Sequence, residues 1–353
     1  MDIQKALDEK RPIVDAVIEK YAPRKIDEKK AEFLFGKPRY AYDVETLNKG
    51  LFDPIWNLID RGGKRWRPAL FIMAVQALGA DVEKVKDFSA IVELVHNGTL
   101  CVDDVEDDSE LRRGKPCVHK VYGVDVAVNT GNAMYFLPLL SLMKNRDKFD
   151  EKTLMNAYEI YVQEMINVSA GQAMDIWWHK HGKLNLKEDE YLQMCAYKTG
   201  TLARMSAKLA VTFAHGTQKQ AEAFGKFAET MGVAFQIQDD ILNLTPSALS
   251  EMKGIGEDIH EGKRTLLVIR AMQKLPAKKS QRLVEILQMH TSNQKIIDEA
   301  IALIRETDAF EYCTKRAATL VRDAWQELEP LLKPSDAKLQ LKAFADYLIT
   351  RKI

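Results

Sequence analysis

Cysteine is scarce: four residues in 353, Cys101, Cys117, Cys195 and Cys313, with no CxxC pair and no disulfide-framework spacing. That excludes a small stapled secreted scaffold and reads as the reduced thiols of an intracellular, cytoplasmic protein. Excess charge of either sign is missing, because 51 basic residues balance 51 acidic ones. No global field therefore draws nucleic acid or an anionic membrane. No run of 18 apolar residues occurs, so no membrane span is expected. The opening Met-Asp-Ile-Gln-Lys is too charged for a signal peptide. Sustained apolar–polar alternation is nearly absent, which argues against a sheet. No long flexible linker, tandem repeat or low-complexity stretch divides the chain.

What is present is helical periodicity. Apolar residues recur at i, i+3, i+4 and i+7 over 4–21, 44–60, 66–79, 87–107, 124–145, 151–178, 188–214, 219–243, 263–274, 279–290, 294–306, 308–332 and 335–350. Breaks fall at Gly62-Gly63, at Gly114-Lys115-Pro116, between His179 and Glu188, and between Thr245 and Gly262. With 46% hydrophobic residues the core is ample. The expected architecture is all-α: one domain over 1–353, a single large antiparallel helical bundle around a central cavity.

Two acidic clusters interrupt apolar helical patterns. The first is Asp103-Asp104-Val105-Glu106-Asp107-Asp108, and the second is Gln236-Ile237-Gln238-Asp239-Asp240-Ile241-Leu242-Asn243. At about 3.6 residues per turn, Asp103 and Asp107 share a face, as do Asp239 and Asn243. Like charges at that spacing repel, and apolar neighbours strip their hydration. Hard divalent cations relieve both, above all Mg²⁺, with Mn²⁺ able to substitute. Mg²⁺ held by few carboxylates fills its shell with water and substrate phosphate, so the acids already point to a phosphorylated substrate. Asp108 adds a second i, i+4 pair with Asp104, and which pair faces a metal is open at this point.

Basic residues cluster beside the acids. Gly62-Gly63-Lys64-Arg65-Trp66-Arg67-Pro68 puts Lys64 and Arg67 at the opening of a helix, a point charge beside a planar fork. Arg112 and Arg113 follow the first acidic cluster; at a helix end their side chains diverge by about 100° and reach two phosphates. Tyr197-Lys198-Thr199-Gly200 lies in a helical pattern. Lys253 and Lys263 lie in a Gly-rich loop after the second cluster.

These motifs together, Gly-Gly-Lys-Arg-x-Arg-Pro, Asp-Asp-x-x-Asp with Arg-Arg-Gly-Lys-Pro, Lys-Thr and Phe-Gln-x-x-Asp-Asp, resemble the trans-isoprenyl diphosphate synthases (polyprenyl synthetases), the family of farnesyl and geranylgeranyl diphosphate synthases, over about residues 62–265. The resemblance implies the isoprenoid synthase class I fold and a homodimer. It implies head-to-tail condensation of isopentenyl diphosphate with an allylic diphosphate (dimethylallyl, geranyl or farnesyl) and loss of pyrophosphate, using three metal ions per site. Asp103, Asp107 and Asp239 would bind the metals, supported by Asp104 and Asp240. Arg112, Lys198, Lys253 and Lys263 would hold the allylic diphosphate, and Lys64, Arg67, His96 and Arg113 the isopentenyl one. Thr199 and Gln236 would turn oxygens towards the allylic cation, and Gln172 and Asp175 would line the metal side. Asn243 stands where many members have Asp.

Product length turns on the tail cavity below Asp103. Gly98 and Thr99 are small and leave it open there, so the floor is expected at Tyr135 and Phe136, giving a C20 product, with C15 or longer chains as alternatives. A ferritin-like di-iron bundle needs two Glu-x-x-His motifs, which Glu93/His96 and Glu257/His260 supply, but it leaves the basic residues idle. A class I terpene cyclase needs Ser or Thr and then Glu after the second Asp pair, where this chain has Asn243 and Ser247. A non-catalytic regulatory subunit would be expected to have lost acidic motifs that are intact here.

Overall fold

In a computed structural model the chain is described over residues 3–183, 185–245 and 255–350. Helices dominate, and among the described residues the sole sheet is a two-stranded hairpin, Leu111–Arg112 with Lys115–Pro116. The described residues fall into two compact units. One holds those up to Tyr158 together with Leu209–Gly216, and the other holds Glu159–Lys208 with those from Thr217 onward.

In the first unit the Ser89–Glu106 helix is the central post. It packs on the Ile3–Tyr21, Trp66–Ala77 and Val124–Phe136 helices. Its apolar stripe, Ile91, Val92, Leu94 and Val95, is fully buried, as are Leu70, Phe71 and Met73 of the Trp66–Ala77 helix. Close approach to Val124–Phe136 depends on two glycines. A Cβ on Gly131 would lie 2.5 Å from Val102 Cγ2, and one on Gly98 would lie 3.0 Å from Gly131 O, Met134 Cβ and Tyr135 Cε1. Phe213 stacks on Phe88 with centroids 3.6 Å apart, which ties Leu209–Gly216 into this unit.

In the second unit the long Gln218–Asn243 helix packs along Ala309–Leu328 and Asp336–Thr350. Phe224, Phe227, Ala228 and Met231 supply its buried face, and Leu328 and Phe344 are buried on the partner helices. Thr217 caps its start: its hydroxyl accepts from Gln220 N, and the Gln220 side chain returns a bond to Thr217 N.

Local differences from the periodicity have plain causes. Glu28–Phe35 is a short helix capped by Asp27, too brief for a period to register. The helix expected from 263 starts at Leu266, because Gly262 turns the chain at φ +71° and Thr265 is the cap. Arg112 and Arg113 are not on a helix end. Arg113 and Gly114, at φ +53° and +74°, make the tight turn of the hairpin, a backbone suited to its twist. The segment Val124–Lys144 is long and apolar enough by length and composition to cross a bilayer, which no run of apolar residues had indicated; half of it is buried inside the protein.

Candidate active site

The first acidic cluster sits where the Ser89–Glu106 helix ends. Asp103 lies in its last turn, Asp104 is 1% exposed, and Asp107 is the C-cap. Asp108 then takes φ +49° and leaves the helix. It is exposed and accepts a bond from Lys120 Nζ at 2.9 Å. The Asp104/Asp108 pair is therefore broken, and Asp103/Asp107 remains as the face available to a metal.

The hairpin folds its arginine back onto these acids. Arg112 Nε donates to Asp104 Oδ1 at 2.7 Å, and Nη2 lies 3.5 Å from Asp103 Oδ2. Burial works against the Arg112 charge, but its bond to Asp104 and the charges of Asp104 and Asp103 outweigh it, so the guanidinium stays firmly protonated. Arg61 braces the hairpin through the carbonyls of Arg112 and Lys115. Arg113 donates to Gly62 O and packs flat on Gly63, where a Cβ would lie 3.1 Å from Nη2.

Arg65, which the motif contains but for which no role was foreseen, is the buried anchor of this half. It caps the Trp66–Ala77 helix at φ +49° and donates to Glu93 at 2.8 Å, Asp15 at 3.2 Å and Ile59 O at 3.1 Å. Glu93 also accepts from Asn97. That commitment, and the single four-residue turn formed by Glu257–His260, removes the di-iron reading. Next to the anchor Arg67 is buried with its guanidinium 4.3 Å from the Trp66 ring, while Lys64 is exposed. Burial, and then the charges of Arg67, Arg113, Arg112 and Arg65, hold the His96 imidazole well below its ordinary value. His96 is thus a neutral ring inside a cationic cluster, the surroundings an oxyanion seeks.

The second acidic cluster lies in the other unit. Asp240 is 4% exposed and accepts from Tyr191 OH at 2.6 Å and Gln236 Nε2 at 2.9 Å. Burial and the nearby Asp258 charge raise the Asp240 carboxyl well above its usual range. Burial also pushes Asp258 up to about 6, with Lys263 opposing the shift. Lys263 lies 3.6 Å from Asp258 and also pairs with Glu261. Lys198 Nζ donates to Asp175 Oδ2 at 2.5 Å. Thr199 Oγ1 donates to Gln236 Oε1 at 3.0 Å. Lys253 lies outside the described residues.

Lys198 and Thr199 stand on a wide turn, Ala196–Gly200, that replaces regular helix between Glu188–Cys195 and Thr201–Phe213. Three glycines seat it. A Cβ on Gly171 would lie 2.3 Å from Lys198 N, one on Gly200 2.8 Å from Glu229 O, and one on Gly232 2.6 Å from Gly200 Cα. Gly171, Gly232, Tyr191, Asp258 and the Arg65–Glu93 pair escaped sequence reasoning. A glycine inside a helix signals close approach but does not name its partner.

These groups fit a divalent cation in charge. A buried carboxylate, Asp240, and a largely covered one, Asp258, whose protons are held by desolvation and repulsion, are relieved by added positive charge. Among the described residues no three Asp, Glu, His or Cys side chains form a ready-made cage. An ion sharing one or two carboxylates with substrate phosphates needs none.

The proposed ruler changes. Gly98 is buried in a helix crossing and does not line an open cavity, so a larger side chain there meets Gly131, Met134 and Tyr135. Tyr135 is half-buried against Gly98, and burial followed by the charges of Glu106, Cys101 and Asp103 raises its hydroxyl pKa. Thr99 is half-buried and bonds the His96 carbonyl. Phe136 is 68% exposed, because consecutive helical side chains diverge by about 100°.

Comparison with known proteins places the chain in a family and a fold. The profile of the polyprenyl synthetase family matches residues 48–304. A short chain isoprenyl diphosphate synthase of Methanothermobacter thermautotrophicus is 32% identical over 296 residues, covering 84% of this chain and 89% of that one. A geranylgeranyl pyrophosphate synthase of Macrophomina phaseolina is 35% identical over 271 residues, covering 77% and 79%. The solved structure of geranylgeranyl pyrophosphate synthetase from Pyrococcus horikoshii superposes with a TM-score of 0.85 at 26% identity, covering 99% of this chain and 98% of that one.

Proposed function

Because the chain belongs to the polyprenyl synthetase family, we propose that it makes geranylgeranyl diphosphate, C20, from isopentenyl diphosphate and allylic diphosphates. It is a trans-prenyltransferase, and its reaction uses divalent metal to ionise the allylic diphosphate. We assign Mg²⁺, three ions per site, to Asp103, Asp107 and Asp239. The whole chain acts as one catalytic domain, in the cytoplasm, with Val124–Lys144 as a core helix and not a membrane span.

The observation that carries the reading is the contact of the helix-end acids with the arginine of the hairpin that follows them. Arg112 is bonded to Asp104 and lies 3.5 Å from Asp103, beside the cations Arg67 and Arg113 and the neutral His96 ring. Metal held by Asp103, Asp107 and Asp239 would neutralise charge developing on the leaving diphosphate. Arg112, Lys198, Lys253 and Lys263 bind the same diphosphate as donors, and Lys64, Arg67, His96 and Arg113 bind that of isopentenyl diphosphate. Thr199 donates its hydroxyl hydrogen to Gln236 Oε1, so its own lone pairs are left for the allylic cation. Gln236 is held in that amide orientation by its bond to Asp240. The pyrophosphate that leaves takes the final proton.

The test is the purified full chain with labelled isopentenyl diphosphate, each allylic diphosphate and Mg²⁺, followed by chromatography of the dephosphorylated alcohols. We expect mainly C20, none in EDTA, and a loss of at least about 3 kcal/mol in kcat/KM for Asp103→Ala. Turnover in EDTA sinks the metal assignment, and a mainly C15 alcohol sinks the chain length.

A further inference from the structure

A second polar cleft lies in the unit formed by Glu159–Lys208 and the residues from Thr217 onward; none of the side chains assigned to the reaction lines it, although His179 on its wall stands one helical turn from Asp175 and feels the Lys263 charge. It measures about 280 Å³ and is lined by His179, Lys180, His181, Gly182, Arg264, Gln288 and His290. Three chain segments build it. The Glu151–His181 helix ends there, with His181 stacked on Trp177 at 3.7 Å. The Ala277–Gln288 helix ends there too. The turn at Gly262 is pressed against that second end, where a Cβ would lie 2.6 Å from Leu287 O and 2.7 Å from His290 Cε1. Arg264 and His290 both line the cleft beside this turn.

Among the described residues no carboxylate lines this cleft. Arg264 is 5% exposed, and its single hydrogen bond is from Nη1 to Gly262 O at 2.7 Å. Among the described residues its Nε is buried without a hydrogen-bond partner, and so by distance and angle is Nδ1 of His179, which is 8% exposed and lies against the Asp175 backbone. Among the described residues no acid forms an ion pair with Arg264, and burial alone acts on it, lowering its pKa. An unpaired buried guanidinium is costly. Carbonyls at the two helix ends offset part of that cost, but a partial charge along the axis does not bond the Nε hydrogen. What completes the set is an acceptor-only group carrying full negative charge and several oxygens. Phosphoryl oxygens match the Arg fork and the surrounding imidazoles and ammonium together.

We propose that this cleft is a second anion site, separate from the metal-dependent one, that binds a free phosphoryl oxyanion on Arg264, His179 and Lys180, with His181, Gln288 and His290 at its rim. The sources are orthophosphate and the inorganic pyrophosphate that the reaction releases.

The test follows imidazole ¹H–¹⁵N resonances of the full chain in EDTA, which silences metal-dependent diphosphate binding. Orthophosphate, pyrophosphate and acetate are titrated separately, and His→Gln variants assign the rings. The expected result is saturable shifts of His179, His181 and His290 with a phosphoryl anion and not with acetate; the tighter of the two anions names the source. Arg264→Gln should weaken binding at least about tenfold. If that variant misfolds, Gln288→Glu at the exposed rim puts a carboxylate into the cleft and should weaken binding by the same order. Rings unmoved at millimolar anion, equal response to acetate, or undiminished binding in whichever variant folds overturns the proposal. The readout needs no turnover, so its failure leaves the assigned reaction untouched.

Discussion

Tyr135 and Phe136 are neighbours in sequence, yet they meet different surroundings. Tyr135 lies against Gly98 on the helix that carries Asp103, while Phe136 is two-thirds exposed. Only Tyr135 is placed to limit a chain hanging below the acidic cluster. Tyr135→Ala is expected to lengthen the principal product by at least one C5 unit, and Phe136→Ala in a single chain to leave it unchanged. Chromatography of the alcohols separates the two, and an unaltered product from Tyr135→Ala removes the floor. Much of the candidate site was legible residue by residue, because charges kept among apolar neighbours need compensation. Asp103 and Arg112 were named that way, whereas Lys198 and Gln236 were named by the family motifs. What holds them was hidden. Arg65–Glu93 joins residues 28 apart, Tyr191–Asp240 joins residues 49 apart, and no local pattern encodes either distance. The fate of Asp108 was hidden too, since a positive φ at a helix end depends on where the chain goes next.

At the scale of elements, two side chains of the candidate site, Lys198 and Thr199, stand where regular helix fails. Ala196–Gly200 widens by one residue per turn and so turns Lys198 and Thr199 towards Asp175 and Gln236. Its seat is backbone against backbone, at Gly171 and Gly232. Gly232→Ala puts a methyl 2.6 Å from Gly200 Cα, where no flexible side chain is available to yield. The expected cost is about 1–3 kcal/mol of stability. A fall in kcat should accompany it, with KM for isopentenyl diphosphate unchanged, because Arg67 and His96 lie in the other unit. Thermal melting and steady-state kinetics measure these. Wild-type Tm together with wild-type kcat would show the seat to be slack. Helices were readable because a period of 3.6 repeats over many residues, as in Gln218–Asn243. The hairpin at Leu111–Pro116 was not, since two residues per strand carry no alternation and its turn is made by Arg113 with Gly114.

At the scale of the molecule, some apolar surface has no use inside one chain. Val121, Val124, Val128 and Phe136 are exposed along one stretch, and Met155, Val162 and Ile166 along the Glu151–His181 helix. The last three sit at i, i+7 and i+11, which keeps them on one stripe. Scattered exposed apolar residues are ordinary, but a stripe sustained over three turns of one helix points to a helix-to-helix contact. A closed two-fold pairing buries the same patch on both copies and leaves no open edge. The chain should therefore sediment near twice 40.1 kDa at micromolar concentration. Val162→Glu with Ile166→Glu places like charges against each other across such an axis, and should shift sedimentation towards the single-chain mass while far-ultraviolet dichroism stays helical. A wild-type chain that sediments as one copy, or a double variant that remains paired, would move the contact away from this stripe.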